Sequence, residues 1–563
     1  MKKIYCAAAL SLGMLLSGCD NEFLDTNPKD GIGSNQMWNT EEDAKLGVVA
    51  IYNSVRTKLA FNMYGINDCL TPQAWCVNGT GTTFDEYRFY KLCINTATAN
   101  ESIFKEKWTT LYKGIARAND AIAHLPGMNI DEKTKNTLLA EAKFCRALFY
   151  FDLLSFFSGH DQRDPGVPLY TEPTNYEDAY LPRSKPAQVR AQIIKDLKEA
   201  IPDLPFTSSE AGRANSAAAQ MLLGKVYLYS EQWEKAAGAF GAVVAQNERE
   251  QKYELYPDYY LLFQLDGEDN KEGIFIVPNL DIQDYGSFMM MIYGSRSSFA
   301  QGGNVCVPTP YLVDSYRKTA GSEFRWSDIP AAADQNVFWN SQTEVEKAFK
   351  DRDPRLEASV IRPWAFFEGA YNSTKKSSTY QYYPASYTGK KEYMAFATNN
   401  NVQTYAWRKF VNTGNQCPIR RNAPIDIPVM RYADLLLLFA EAKNEAEGPV
   451  DSVYWAINKV RQRPSVEMPP LSGLGKTEMR QAIRDERMWE LAGEGHSFND
   501  YRRWYKYDSS YDIATKLNYK ITGFNTSIYI SDRVFTERNW QFAIPQAETD
   551  MNRYLTQYPG WEN

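Results

Sequence analysis

Apolar residues recur in alternating steps of three and four at Phe104, Trp108, Leu111, Ile115, Ala118, Ile122 and Leu125. That spacing lays one apolar stripe along one face of a helix, and Pro126-Gly127 closes it. From Asp131 to Phe157 two stripes run together, one through Leu138, Ala142, Cys145, Phe149, Leu153 and Phe156, the other through Phe144, Leu148, Phe151 and Leu154. A helix apolar on two faces is predicted to lie between neighbours. The pattern predicts further helices over Glu41 to Leu59, Val189 to Ile201, Met430 to Glu447, Val450 to Arg463 and Thr477 to Leu491. The stretch from Tyr507 onward is mostly non-helical.

Gly224, Tyr227, Ala236 and Phe240, with Trp233 between the halves, match the spacing of a tetratricopeptide (TPR) helix pair. Small residues let paired helices approach closely, while Tyr and Phe fill the groove between them. Elsewhere periodicity fails: 61–98 and 253–426 are rich in Gly, Pro, Asn, Ser and aromatics and read as loop. Insertions of that length in a helical scaffold are usually functional. The expected fold is mainly α, a TPR-like helical-pair scaffold (helices about 104–247 and 429–505) with long loop-rich, ligand-binding insertions.

The N-terminus changes the picture. Lys2 and Lys3 precede an apolar run from Ile4 to Leu16, followed by Ser17, Gly18 and Cys19, the order of a secretory leader. The run is too short to span a bilayer, which needs about 20 apolar residues. Leu16-Ser17-Gly18-Cys19 resembles a bacterial lipobox, implying cleavage before Cys19 and its acylation, with palmitate-type chains as the anchor. Residues 1–18 are then a signal peptide, 19–40 a lipid-anchored tether and 41–563 the body. Six cysteines remain after Cys6 and Cys19, without CxxC spacing, so no zinc site is expected. Export permits a disulfide, and Cys69 with Cys76 or Cys93 is the local candidate.

The net charge of −7 is interspersed rather than blocked, which offers no stripe to nucleic acid. The charge-rich stretch Arg480 to Glu494 suits a solvated helix face, or partly an interface with a partner. His124, His160 and His496 are the only histidines and stand apart, leaving little material for a Ser-His-Asp triad or a His-based metal site. Gly475-Lys476-Thr477 fails as a P-loop because Pro470 stands where the earlier glycine is required. Catalytic, metal and cofactor sites are not expected.

The chain instead has 37 Tyr, 28 Phe and 13 Trp. Rings on loops beside Asn, Asp and Arg suit sugars, whose C–H faces stack and whose hydroxyls pair with planar polar groups. Three clusters stand out. Asp68, Trp75, Asn78, Phe84 and Tyr87 form the first, and replacing Trp75 by Ala is expected to weaken binding without unfolding. The second runs from Tyr285 through Phe288, Met289 to Met291 and Tyr293 to Phe299 and reads better as a buried or channel-facing patch. The third holds Trp364, Phe366, Phe367, Tyr371, Tyr380, Tyr382, Tyr383, Tyr387 and Tyr393 beside the guanidinium of Arg362, with too many rings for all to be core. Trp326 is an isolated further candidate. The candidate ligand-binding residues are Asp68, Trp75, Asn78, Tyr87, Tyr293, Trp326, Arg362, Trp364 and Tyr393.

An ordered set of short segments resembles the SusD/RagB-like outer-membrane lipoproteins of Bacteroidetes. They are Phe23-Leu24-Asp25; Trp108 with Leu111-Tyr112; Arg117-Ala118-Asn119; Ala140 to Phe144 with Arg146-Ala147; Gly166-Val167-Pro168-Leu169; Gly212-Arg213-Ala214; Asp351 to Arg355; Arg431-Tyr432-Ala433-Asp434; Glu486-Arg487 with Glu494-Gly495; and Ile544-Pro545 near Asn552. His496-Ser497-Phe498 departs from the family's usual basic-aromatic pair. The resemblance implies a surface-exposed, lipid-anchored protein of the outer membrane that binds nutrient oligosaccharides or polysaccharides and delivers them to a SusC-like, TonB-dependent transporter. It implies binding rather than catalysis. A peptide-binding lid of the RagB type and a surface glycoside hydrolase are the alternatives.

Overall fold

The computed structural model describes residues 37–77, 89–159, 165–175, 178–295, 303–370, 377–384, 394–396, 398–399, 402–403, 405–411, 422–517, 519 and 533–562. Its longer helices are α1 (Glu41–Val55), α2 (Ser102–His124), α3 (Glu132–Phe157), α4 (Pro186–Ala200), α5 (Ser216–Leu228), α6 (Trp233–Glu250), α7 (Tyr432–Glu447), α8 (Asp451–Arg461), α9 (Lys476–Glu490) and α10 (Ser497–Tyr505). Local chemistry starts them where the sequence supplies caps. Thr40 and Asp43 close a capping box on α1, and Asp131 accepts from the Thr134 N–H at 2.8 Å ahead of α3. The α2 stripe is buried apart from the half-buried Ile122. On α3 both stripes pack inward, apart from the half-buried Phe151 and Leu154.

Helices pack as successive pairs: α2 on α3, α3 on α4, α5 on α6, and then, across the long insertion, α6 on α7 and α7 on α8 and α9. The TPR spacing has a direct cause at α5 and α6. A Cβ on Gly224 would lie 2.5 Å from the Phe240 ring, so only glycine admits that ring. Among the described residues no helix is long and apolar enough to cross a membrane.

The insertions contain short regular pieces. Strand β1 (Ala74–Cys76) pairs antiparallel with β3 (Cys306–Pro308), and β2 (Gly273–Val277) with β6 (Ile427–Arg431). Strands β4 (Phe366–Ala370) and β5 (Ser377–Tyr383) form a hairpin. Turns of helix at Met289–Tyr293, Pro310–Ser315, Gln342–Phe349 and Pro354–Ser359 fill the same region. Runs this short carry too few positions for a helical period to emerge.

One expectation is corrected. Arg484, Glu486, Arg487 and Glu490 on α9, with Glu494 beyond it, are buried rather than solvated. Glu490 accepts from Arg431 (2.8 Å), Arg463 (2.7 Å) and Arg355 (3.0 Å). Glu272 of the turn before β2 binds Arg431 and Arg463, Glu486 binds Arg355 and Arg461, and Glu494 binds Arg431 and Lys409. Burial opposes ionisation of Glu490, but Arg463, Arg431 and Arg355 outweigh it and hold the carboxyl well below the usual carboxylate range. A mixed-charge helix face is solvated only when no opposite charges converge on it, and here four other segments supply them.

Candidate functional site

Beside α9 lies an open cleft of about 740 Å³. Thr309-Pro310 starts the short helix Pro310–Ser315, with the Thr309 side chain accepting from the Leu312 N–H at 3.3 Å. Tyr311 and Asp314, three residues apart on that helix, both line the cleft. Helix α9 contributes Asp485, Met488 and Trp489, and the turn Trp326–Asp328 contributes its tryptophan.

Asp314 organises this wall. Its Oδ2 accepts from Trp326 Nε1 at 2.9 Å and from the Tyr519 hydroxyl at 3.3 Å, while Oδ1 has no donor among the described residues. Burial pushes the carboxyl up to about 7, against the pull of the Trp326 hydrogen bond and the Arg352 charge. In the same cleft Arg317 sits 3.5 Å from Asp485, with its guanidinium 5.7 Å from the Trp489 ring centroid. Burial also raises Asp485, opposed by the Gln481 amide and Arg317. Trp489 Nε1 donates to the Ser315 hydroxyl at 3.2 Å. Tyr311 meets Tyr519 edge-on at 5.6 Å, and Trp326 is backed by Phe324, Phe338 and Trp339. Aromatic walls, two carboxylates and a guanidinium thus converge on one solvent-open space, the combination that stacks rings and pairs hydroxyls.

Of the residues singled out from sequence, Trp326 lies in this cleft. Trp364 is buried, its Nε1 donating to the Trp339 carbonyl at 2.8 Å, so both tryptophans abut one residue. Arg362 is paired with Glu357 and lies over the Phe349 ring at 5.2 Å. The abundance of rings nearby is absorbed by a small second core in which Phe367, Tyr380 and Tyr382 pack with Ile361, Ala365 and Ala406, while Phe366 stays exposed.

Asp68 and Tyr293 are brought together inside the body. Asp68 is fully buried and accepts from the N–H groups of Gly493 (2.9 Å), Gly495 (3.2 Å) and Ser497 (3.2 Å) and from the Ser497 hydroxyl. Tyr293 donates to the Gly493 carbonyl at 2.8 Å and stacks on Trp407. Both therefore clamp the segment after α9. Trp75, buried on β1, meets Tyr90 edge-on at 5.5 Å with the Arg533 guanidinium 5.5 Å from its ring. The buried run Phe288 to Tyr293 matches the reading of that cluster as a buried patch. Asn78, Tyr87, Tyr393 and the lipidation candidate Cys19 lie outside the described residues.

Sequence reasoning missed Tyr311, Asp314, Arg317, Asp485, Trp489 and Tyr519. A signal existed: Thr-Pro opens a helix, and Tyr311 with Asp314 at three-residue spacing share its face. Asp485 and Trp489, four apart on α9, were hidden within the charge-rich stretch.

A model of the SusD family matches residues 271–561, and one described as starch-binding and associating with the outer membrane matches residues 23–228. A SusD-like protein of Formosa agariphila is 25% identical over 517 residues, covering 90% of each chain. The solved structure of a SusD-like carbohydrate binding protein from Bacteroides fragilis superposes with a TM-score of 0.73 at 24% identity, covering 92% of this chain and 100% of its own. A laminarin-binding SusD-like protein superposes with a TM-score of 0.66 at 22% identity, over 93% and 100%.

Proposed function

The chain belongs to the SusD family, and from that premise we propose that it captures oligosaccharides at the cell surface and hands them to a SusC-like, TonB-dependent transporter while anchored to the outer membrane through Cys19. The observation that carries the binding half is the cleft, where an Asp314 oxygen with no donor among the described residues sits among the rings of Tyr311, Trp326 and Trp489. The carbohydrate binding and laminarin binding described for structural neighbours support the same ligand class. The cleft suits neutral glycans. Among the described residues its two guanidiniums are already answered by carboxylates, Arg317 by Asp485 and Arg325 by Glu323, and Asp314 adds a third acid, so the described lining favours a neutral glycan over an anionic polysaccharide.

Calorimetric titration of the protein lacking residues 1–19 against neutral and acidic glycans and a peptide digest tests this reading. Saturable binding of a neutral glycan without turnover is expected, and the isosteric Asp314→Asn should weaken it about 10-fold, the loss of roughly 1.4 kcal/mol. Binding to peptides alone would move the chain to the RagB-type reading. Release of reducing ends, abolished by removing one carboxylate, would make it a hydrolase.

A further inference from the structure

Three thiols converge at one point of the fold. Strand pairing sets Cys76 of β1 directly opposite Cys306 of β3. The preceding 3-10 helix (Tyr64–Leu70) then carries Cys69 over the same spot, where its sulfur lies 2.9 Å from that of Cys306. Both residues are fully buried. A fourth thiol, Cys93, hydrogen-bonds the Cys69 carbonyl at 3.1 Å.

We propose that Cys69 and Cys306 are joined by a disulfide in the exported protein. Their sulfurs are inside the contact distance of two thiols, and a bond of about 2.05 Å needs a closure of only about 0.9 Å. The backbone around them is held from several sides: Val77 N–H donates to Val305 O at 2.8 Å, Thr309 N–H to Gln73 O at 3.0 Å, and Arg533 binds the carbonyls of Cys69, Thr71 and Ala74. Such a setting leaves the sulfurs little room to separate. Local pairing of Cys69 with Cys76 or Cys93, the candidate from sequence spacing, gives way to a link spanning 237 residues.

In the bond-forming step the two thiols lose two protons and two electrons to a dithiol-disulfide oxidase of the cell envelope, whose own disulfide is reduced to a dithiol as the S–S bond forms. Burial raises both thiols, so the attacking thiolate arises before the strands close over it. Oxidation therefore accompanies folding and does not follow it. The inference rests on the export read from residues 1–19 and not on the ligand, so its failure leaves glycan binding untouched.

The test uses the full chain exported under its own leader into an oxidising envelope. The protein is denatured in an alkylating agent without reductant, digested and mapped by mass. The expected result is a Cys69 peptide joined to a Cys306 peptide, with Cys76, Cys93, Cys145 and Cys417 alkylated. Cys69→Ser should unmask one alkylatable thiol at Cys306, Cys306→Ser one at Cys69, and the double variant neither. Recovery of Cys69 and Cys306 both alkylated, or a bond from either one to Cys76 or Cys93, overturns the proposal. The wild-type map decides the matter even where a variant fails to fold.

Discussion

Trp75 and Asp314 show how burial reassigns a residue. Trp75 was expected to stack on a ligand, but its ring is enclosed by Tyr90 and Arg533. Trp75→Ala should therefore destabilise the protein by about 3–5 kcal/mol, read from urea unfolding, because truncating a buried indole leaves a cavity. A variant of unchanged stability would return the ring to the surface. Asp314 works the other way. Its carboxyl sits near 7, and the ionised form is the stronger acceptor of hydroxyl hydrogens, so glycan affinity should rise as pH passes upward through about 7, a dependence lost in Asp314→Asn. His496 adds a separate pH dependence, of stability. Burial, aided by Lys225 and Arg487 and opposed by Asp434 and Glu494, draws it down to about 4, below its unfolded value of about 6.5. The folded state then binds fewer protons between those values, so the contribution is complete above about 6.5 and lost as pH falls towards 4, on the order of 3 kcal/mol. His496→Gln should remove that acid limb from a stability-pH curve.

At the scale of elements, α9 does two jobs on two faces. Its inner face gathers Arg355, Arg431, Arg461 and Arg463 onto Glu486 and Glu490, while Asp485 and Trp489 border the cleft. Glu490→Gln leaves three guanidiniums under-neutralised in a dry interior and should cost about 3–5 kcal/mol by chemical denaturation. Glu447→Gln, at the more exposed Lys443 pair, should cost far less. This division explains what was legible. Helices declared themselves through period, and the TPR pair through Gly224 and Phe240, since those signals repeat over several turns. From the family segments, Asp353, Arg355, Arg431 and Glu486 sit in this buried ion network, and Asp434 and Arg487 pair with each other beside it, so these residues report architecture. The cleft was illegible because its residues come from a six-residue helix, a single turn, one face of α9 and the distant Tyr519. Only folding brings them together, and nothing in local spacing distinguishes Trp326, at the cleft, from Trp364, which does not line it.

At the scale of the molecule, contacts join residues far apart in the chain. The α6–α7 packing continues one stack of helices across the whole insertion, and β1 closes on β3 from more than two hundred positions away. The Asp68 clamp reaches further. Among the described residues its carboxylate accepts from Gly493, Gly495 and Ser497, and Arg533 binds the neighbouring Cys69, Thr71 and Ala74 carbonyls. Synthesis delivers the N-terminal end first, so until residues 493–533 emerge, Asp68 lacks these donors and the Thr71 and Ala74 carbonyls lack Arg533. A chain that cannot complete its own interior early stays threadable, which suits the proposed route, in which the polypeptide crosses one membrane before it is anchored on another.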